Sequence, residues 1–88
     1  MVVKDKIGRR RYIIAKYDSK IEKIMPRIKE FDSYAKIIAI QKNFVIVRCR
    51  HWYKERILQY FNENDIKTII TTGTIRKAKK IIDSLNEN

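Results

Sequence analysis

Hydrophobic positions follow two spacings along the chain, and together they predict seven elements. Four segments are short and rich in β-branched and aromatic residues, which predicts strands. These strands span residues 10–17, 35–41, 44–50 and 66–72. Between and after them, apolar residues recur at helical spacing, which predicts three helices. These helices cover residues 19–31, 51–63 and the segment that begins at Gly73.

Local signals sharpen the predicted boundaries. Ser19 followed by Glu22 three residues later is typical of a capping box at the start of the first helix. Pro26 predicts a kink in that helix. Lys42 and Asn43 separate two strands so closely that a tight hairpin is the natural connection. The last helix carries one apolar stripe, formed by Ile75, Ala78, Ile82 and Leu85.

The resulting order, βαββαβ with a C-terminal helix, predicts a ferredoxin-like α+β sandwich of the kind also found in RNA-recognition motifs. Its sheet has four antiparallel strands with two helices on one face. We expect the other face to stay open, with Ile14, Ile46 and Ile70 on it, and to meet a protein partner. A length of 88 residues fits a single domain over residues 1–88, in which residues 1–9 form a flexible basic arm.

Net charge changes the functional picture most. The chain has 21 Lys and Arg against 10 Asp and Glu, a formal net charge of +11. Residues 1–17 and 34–56 each carry a net charge of +5. Such a density favours a polyanionic partner and disfavours an enzyme for acidic or neutral metabolites. The sequence therefore indicates nucleic acid as the ligand.

Cysteine usage and hydropathy indicate the compartment. Cys49 is the only cysteine, which excludes an intrachain disulfide and suits a reducing interior. No apolar run approaches the roughly 18 residues of a membrane span, and the first residues lack the apolar region of a signal peptide. We expect a soluble cytoplasmic protein.

Residues with catalytic chemistry are few. His51 and Cys49 are the only members of their types, so no His/Cys metal cluster can form. Cys49 alternates with two valines and fits a core position better than a nucleophile's. Asp18, after the first strand, is the one carboxylate placed to hold a metal, but a helix-capping role is favoured. We predict no catalytic residue, no metal ligand and no protein-bound cofactor.

Two groups of basic residues suggest phosphate contacts. Because the first and third strands of this fold are neighbours, the arginines beginning one and ending the other should converge. Arg76 and Lys77 lie in the first helical turn, where the helix dipole disfavours a cation by about 0.3–1 kcal/mol. A phosphate bound by the free backbone N–H groups after Gly73 would offset this unfavourable energy. The simpler alternative is that both side chains point into water and bind nothing. The residues predicted to bind RNA are Arg9, Arg10, Arg11, Arg48, Arg50, Gly73, Thr74, Arg76, Lys77 and Lys80.

The aromatic residues Tyr12 and Phe44 could either stack on RNA bases or pack in the core or on a partner. They begin strands roughly where an RNA-recognition motif stacks bases. That motif needs a basic residue, glycine and alternating aromatics in the third strand, which residues 43–47 do not supply, so packing in the core or on a partner is favoured. The residues predicted to contact a protein partner are Trp52, Tyr53 and Arg56.

Three blocks of sequence together resemble a known family. They are the opening Arg9-Arg10-Arg11-Tyr12-Ile13-Ile14, the strand Phe44-Val45-Ile46-Val47-Arg48-Cys49 continuing into His51-x-Tyr53-x-x-Arg56, and Thr72-Gly73-Thr74-Ile75-Arg76-Lys77-Ala78-Lys79-Lys80. In this order, over about half the chain, they resemble the archaeal and eukaryotic Pop-five family of ribonuclease P proteins, called protein component 2 in archaea. The block after the apolar fourth strand is the most specific. Only about 26 residues separate Tyr17 from Phe44, shorter than is typical of the family, and Thr71-Thr72 replaces its usual Val-Ser.

The resemblance implies a specific role. The family provides a protein subunit of ribonuclease P, the ribonucleoprotein that removes 5′ leaders from precursor tRNA, and the RNA is the catalyst. The expected partners are the ribonuclease P RNA, precursor tRNA and a TIM-barrel-like protein subunit, with a homodimer of heterodimers left open. Mg²⁺ is expected for the RNA-catalysed reaction. By the same resemblance, Arg48, Cys49, Tyr53 and Arg56 match the central block, and Gly73, Thr74, Ile75, Lys77 and Lys80 match the last one.

Two other functions remain open from sequence. One is a metal-dependent nuclease like the CRISPR-associated ferredoxin-like nucleases, which carry an aspartate where this chain has Asp18. That interpretation explains neither the block from Gly73 to Lys80 nor the basic N-terminal residues. The other is a purely structural RNA-binding protein, which would bind RNA without affecting tRNA processing.

Overall fold

The computed structural model describes residues 9–85, so most of the predicted N-terminal arm lies outside the described residues. The elements are β1 (Arg10–Lys16), α1 (Lys20–Phe31), β2 (Lys36–Gln41), β3 (Phe44–Arg50), a single turn of 3₁₀ helix (His51–Tyr53), α2 (Lys54–Glu63), β4 (Thr68–Thr72) and α3 (Ile75–Leu85). The four strands form one antiparallel sheet in the order β2-β3-β1-β4. The predicted ferredoxin-like fold is confirmed.

The hairpin between β2 and β3 is as tight as predicted. Lys42 and Asn43 both have positive φ, 53° and 69°, the combination that matches the twist of the flanking strands in a two-residue turn. Gln41 pairs directly with Phe44 on either side of this turn.

The larger core lies between the sheet and the pair α1 and α2. Ile13 of β1 and Val45, Val47 and Cys49 of β3 are fully buried there. They pack against residues that α1 and α2 present at helical spacing, namely Ile21, Ile24, Met25, Ile28, Ile57 and Phe61. Alternate strand residues point to this layer, as the pleat requires.

The expectation of an open second sheet face is wrong, because α3 covers it. Ile14 and Ile46 are fully buried and form a second core cluster with Ala78 and Ile82 of α3. Of the three isoleucines assigned to an open face, only Ile70 remains exposed, at 47%, on the edge strand β4. The sheet is therefore the middle of three layers. The apolar stripe of α3 was evident in the sequence, but its docking site was not.

The first helix begins differently from the predicted capping box. Ser19 makes no side-chain cap hydrogen bond, and the carboxylate of Asp18 accepts the backbone N–H of Lys20 at 2.9 Å instead. The carbonyl of Asp18 also accepts the N–H of Ile21, at 2.8 Å. An aspartate bonded to the amide two residues on forms its own tight turn, which competes with serine capping. The helix then runs through Pro26 to Phe31.

The docking of α3 can be tested by truncating its buried face. We expect Ile82→Ala to lower the free energy of unfolding by about 2–4 kcal/mol, because the fully buried side chain leaves a cavity against the sheet. Leu85→Ala is the matched control, since Leu85 is 41% exposed and should cost less than about 1 kcal/mol. Urea unfolding followed by circular dichroism measures both. Equal effects would contradict the observed position of α3.

Candidate nucleic-acid interface

Register brings the predicted arginines to one end of the sheet. Arg10 pairs directly with Arg50, and Tyr12 pairs with Arg48, because β1 and β3 are antiparallel neighbours. Lys36 continues the row beyond Arg48 on β2. Directly opposed residues share a face, so Arg10, Arg48, Arg50 and Lys36 lie on the face that α3 covers farther along. The predicted convergence is confirmed for Arg10 with Arg48 and Arg50, whereas Arg11 pairs with Cys49 and lies on the opposite face.

The ring of Tyr34 lies among three of these arginines. The guanidinium carbon of Arg48 is 4.0 Å from the ring centroid, and those of Arg50 and Arg10 are at 5.5 and 5.9 Å. The Tyr34 carbonyl also faces Nε and Nη2 of Arg48 at 3.4 and 3.3 Å, which is long for a hydrogen bond. Cation–π contacts of this kind contribute about 0.5–1 kcal/mol each at partly exposed sites. We call Arg10, Arg48, Arg50 and Tyr34 the arginine cluster.

A buried carboxylate anchors the arginine cluster. Asp32 is 2% exposed and follows the end of α1. One of its oxygens accepts the backbone N–H of Arg50 at 2.8 Å, and the other accepts that of Tyr34 at 2.9 Å. Nε of Arg50 lies 3.4 Å from Asp32, close enough for an ion pair but not aligned for a hydrogen bond.

Positive charge at this end exceeds the negative charge that contacts it. Among the ion pairs of residues 9–85, only that of Arg50 with Asp32 involves the arginine cluster. Placing Arg10 opposite Arg50 is itself unfavourable, since like charges at opposed strand positions repel. An anion at this end would relieve that repulsion.

The start of α3 lies at the same end of the sheet. Thr72, the last residue of β4, pairs with Tyr12, which in turn pairs with Arg48. A continuous cross-strand row thus leads from the residue before Gly73 to the arginine cluster. A side-chain carbon placed on Gly73 would lie 3.7 Å from Nη1 of Arg11, an ordinary contact distance.

One of the backbone donors expected to be free at this helix start is already used. The hydroxyl of Thr74 accepts the N–H of Lys77 at 3.2 Å, so Thr74 caps α3. The amides of Ile75 and Arg76 belong to the first turn and have no helical carbonyl to pair with. Arg76, Lys77 and Lys80 are exposed on the solvent side of α3.

The remaining predicted residues lie in different places. Arg9 extends the pairing of β1 with β3: its N–H donates to Nδ1 of His51 at 2.9 Å, and its carbonyl accepts the N–H of His51 at 2.7 Å. Trp52 is 52% exposed in the 3₁₀ turn, and Tyr53 packs partly against the larger core. Arg56 is on α2, and its guanidinium carbon lies 4.7 Å from the ring centroid of Phe31 at the end of α1.

The aromatic residues placed as base-stacking candidates face the protein interior. Tyr12 is 8% exposed within the second core cluster, and Phe44 packs partly against that cluster. The favoured interpretation, packing in the core, is confirmed for Tyr12. Aromatic surface at the cationic end is instead provided by Tyr34, which the sequence pattern did not single out.

The groups considered for catalysis are engaged in the fold. Burial raises the pKa of the Cys49 thiol to about 12, and the Asp32 carboxylate adds to this, so the thiol is protonated at neutral pH. The carboxylate of Asp18 is bound to the Lys20 amide. In the described part of the chain, no three His, Cys, Asp or Glu side chains are grouped to hold a metal ion. None of the helices in residues 9–85 is long and apolar enough to cross a membrane.

Comparison with known proteins adds no relative. No protein-family model, no curated protein and no solved structure matches this chain.

Asp32 and Tyr34 were missed because their role depends on a distant contact. The spacing Asp32-Ser33-Tyr34 is a local signal for a turn in which aspartate bonds the amide two residues on, and the structure contains that bond. Nothing local shows that the second carboxylate oxygen reaches the backbone of Arg50, 18 residues away.

Replacing Asp32 tests its role as the anchor. We expect Asp32→Asn to lower the free energy of unfolding by about 2–4 kcal/mol, because an amide cannot accept from both N–H donors with its two terminal atoms. Asp83→Asn is the control: its exposed carboxylate pairs with Lys42 at 3.1 Å, so the change should stay below about 1 kcal/mol. Urea midpoints provide the measurement, and an equal effect of both changes would refute the anchoring role.

Proposed function

We propose that the cationic end of the sheet binds the phosphate backbone of RNA, and that the chain is a non-catalytic protein subunit of ribonuclease P. The observation that carries RNA binding is the arginine cluster: three guanidinium groups around Tyr34 with a single carboxylate, Asp32, in contact. Guanidinium groups suit phosphate because they donate two parallel hydrogen bonds to it. Phosphate contacts provide affinity and position without reading sequence.

The assignment to ribonuclease P is supported by the three sequence blocks that resemble the Pop-five family. The first block contains Arg10, the second contains Arg48, and the third contains the start of α3, and these parts meet at one end of the sheet. A role as an RNA cofactor also fits a chain whose cysteine is protonated and buried and whose candidate metal-binding aspartate caps a helix.

The rest of the assembly follows from the same proposal. The RNA performs the chemistry with Mg²⁺, and this subunit acts with a TIM-barrel-like protein subunit on precursor tRNA in the cytoplasm. Because α3 buries most of the sheet face, a protein partner would dock on exposed side chains such as Trp52, beside the arginine cluster, and not on an open sheet.

RNA affinity should depend on charge at this end of the sheet. We expect Arg10→Gln/Arg48→Gln to weaken binding to ribonuclease P RNA and to reduce the magnitude of the negative slope of log K against log salt by about 0.7–0.9 for each phosphate group that the variant no longer neutralises. Arg76→Gln/Lys77→Gln should act similarly if the start of α3 shares the RNA, and should leave both quantities unchanged if those side chains form only a solvated face.

The control variant removes equal charge from the opposite end of the sheet. Lys16 and Lys67 are exposed and joined there by a backbone hydrogen bond of 2.9 Å. Lys16→Gln/Lys67→Gln should retain the salt slope of the unmodified protein. An equal decrease in the control and the arginine double variant would show that binding reflects net charge alone and would refute the proposed interface.

Reconstitution tests the enzyme assignment. We expect the protein, the TIM-barrel-like subunit and the cognate RNA together to cleave precursor tRNA faster than the RNA alone at the same salt and Mg²⁺ concentrations. Arg10→Gln/Arg48→Gln should reduce that stimulation, while Lys16→Gln/Lys67→Gln should not. No stimulation, with RNA binding intact, would favour a structural RNA-binding protein. Metal-dependent cleavage by the isolated protein, abolished by Asp18→Ala, would favour the nuclease.

A further inference from the structure

A cleft separates α1 from α2 on the side of the sheet opposite to α3. It has a volume of about 390 Å³ and is open to solvent, since four of its lining side chains, those of Arg27, Arg56, Gln59 and Glu63, are exposed. The cleft is lined by Arg27, Phe31, Arg56, Gln59, Tyr60 and Glu63. None of these residues belongs to the arginine cluster, so this site is separate from the proposed RNA interface.

Aromatic and cationic groups meet around Phe31 in this cleft. Phe31 and Tyr60 pack edge to face, with ring centroids 5.4 Å apart. The guanidinium carbons of Arg56 and Arg27 lie 4.7 and 6.0 Å from the centroid of the Phe31 ring. The two packed rings thus form an aromatic surface of the cleft, and two arginines lie beside it.

The arginines of the cleft are available to an anion. Across the described residues, no carboxylate forms an ion pair with Arg56, and Arg27 pairs only with Glu30, at 3.6 Å. The side chains of Arg27 and Glu30 are 61% and 67% exposed, so their pair is weak and easily exchanged for a stronger anion.

Hydrogen-bonding groups of opposite character follow Arg56 along α2. Gln59 and Glu63 lie one turn apart on α2, and Nε2 of Gln59 approaches the Glu63 carboxylate at 3.5 Å. Arg56 and Glu63 are seven residues apart, which is about 10 Å along the helix axis. Along α2 the lining therefore changes from cationic at Arg56 to acidic at Glu63, over a distance comparable to that between the phosphate and the base edge of one nucleotide.

We propose that this cleft binds a single nucleotide, with its phosphate at Arg56 and its base toward Gln59 and Glu63. A carboxylate and an amide match the amino and carbonyl groups of a base edge. An acidic peptide would match the arginines alone and would be repelled by Glu63. The nucleotide is either free or an unpaired residue of an RNA strand.

Titration of the full chain tests the site. The probes are the four ribonucleoside 5′-monophosphates, inorganic phosphate, a short single-stranded RNA without a terminal phosphate, and a glutamate-rich peptide, followed by amide chemical shifts. We expect monophosphates to shift amides of residues 27–31 and 56–63 and to bind more tightly than inorganic phosphate. Binding of the RNA strand at the same amides assigns the nucleotide to RNA, and binding of monophosphates alone assigns it to a free nucleotide.

Variants identify the contacts. We expect Arg56→Gln to weaken monophosphate binding by about tenfold, as removal of a charge-assisted hydrogen bond predicts, and Arg56→Lys to weaken it less. Lys29→Gln on α1 is the matched control, because Lys29 is exposed and does not line the cleft; it should change affinity less than about twofold. Melting temperatures verify that each variant is folded, and Arg56→Lys replaces Arg56→Gln if the latter unfolds.

Three results would overturn the proposal. Equal affinity for inorganic phosphate and monophosphates would indicate an adventitious ion only. Binding of the glutamate-rich peptide without nucleotide binding would make the cleft a protein-docking site. Unchanged affinity in both Arg56 variants would place the ligand elsewhere. These results do not depend on the proposed ribonuclease P function. Neither Arg10 nor Arg48 lines the cleft, so Arg10→Gln/Arg48→Gln should bind monophosphates as the unmodified protein does even if it no longer binds ribonuclease P RNA.

Discussion

The buried carboxylate of Asp32 is the interaction on which the cationic end of the sheet depends. It fixes the chain leaving α1 to the end of β3 through the Arg50 amide, and it shapes the turn that presents Tyr34. Removing a carboxylate from water is costly unless hydrogen bonds replace its hydration, and here backbone donors supply them. The guanidinium groups are then free to stack on Tyr34 instead of neutralising separate carboxylates. One buried negative charge thus holds several positive charges in place without cancelling them.

The position of α3 determines what kind of RNA contact this fold can make. Modules that stack bases on an open sheet need exposed aromatic residues in the central strands. In this chain those strands bury Tyr12, Ile14 and Ile46 under α3. The proposed RNA contact is therefore confined to the end of the sheet that carries the arginine cluster. Contacts of that kind recognise the backbone and its shape, which suits a subunit that positions a catalytic RNA.

Local physics accounts for how much could be predicted from sequence. Alternation and helical spacing identified each strand and α-helix of residues 9–85, and the convergence of arginines on β1 and β3 followed from the topology of the fold. Features that depend on packing between distant segments were not predicted. The helix α3 carried a clear apolar stripe, but no local rule assigns that stripe to the sheet. Asp32 is likewise an ordinary turn residue until β3 approaches it.

Opposing requirements of folding and binding meet at the start of α3. The hydroxyl of Thr74 caps the helix, an interaction that contributes about 1 kcal/mol. Arg76 and Lys77 in the same turn oppose the helix dipole by about 0.3–1 kcal/mol each. The stabilisation from the Thr74 cap therefore roughly offsets the destabilisation from the two cations. The helix can form before any anion is present. A bound phosphate would then add to the stability of this turn, so binding and helix order would strengthen each other.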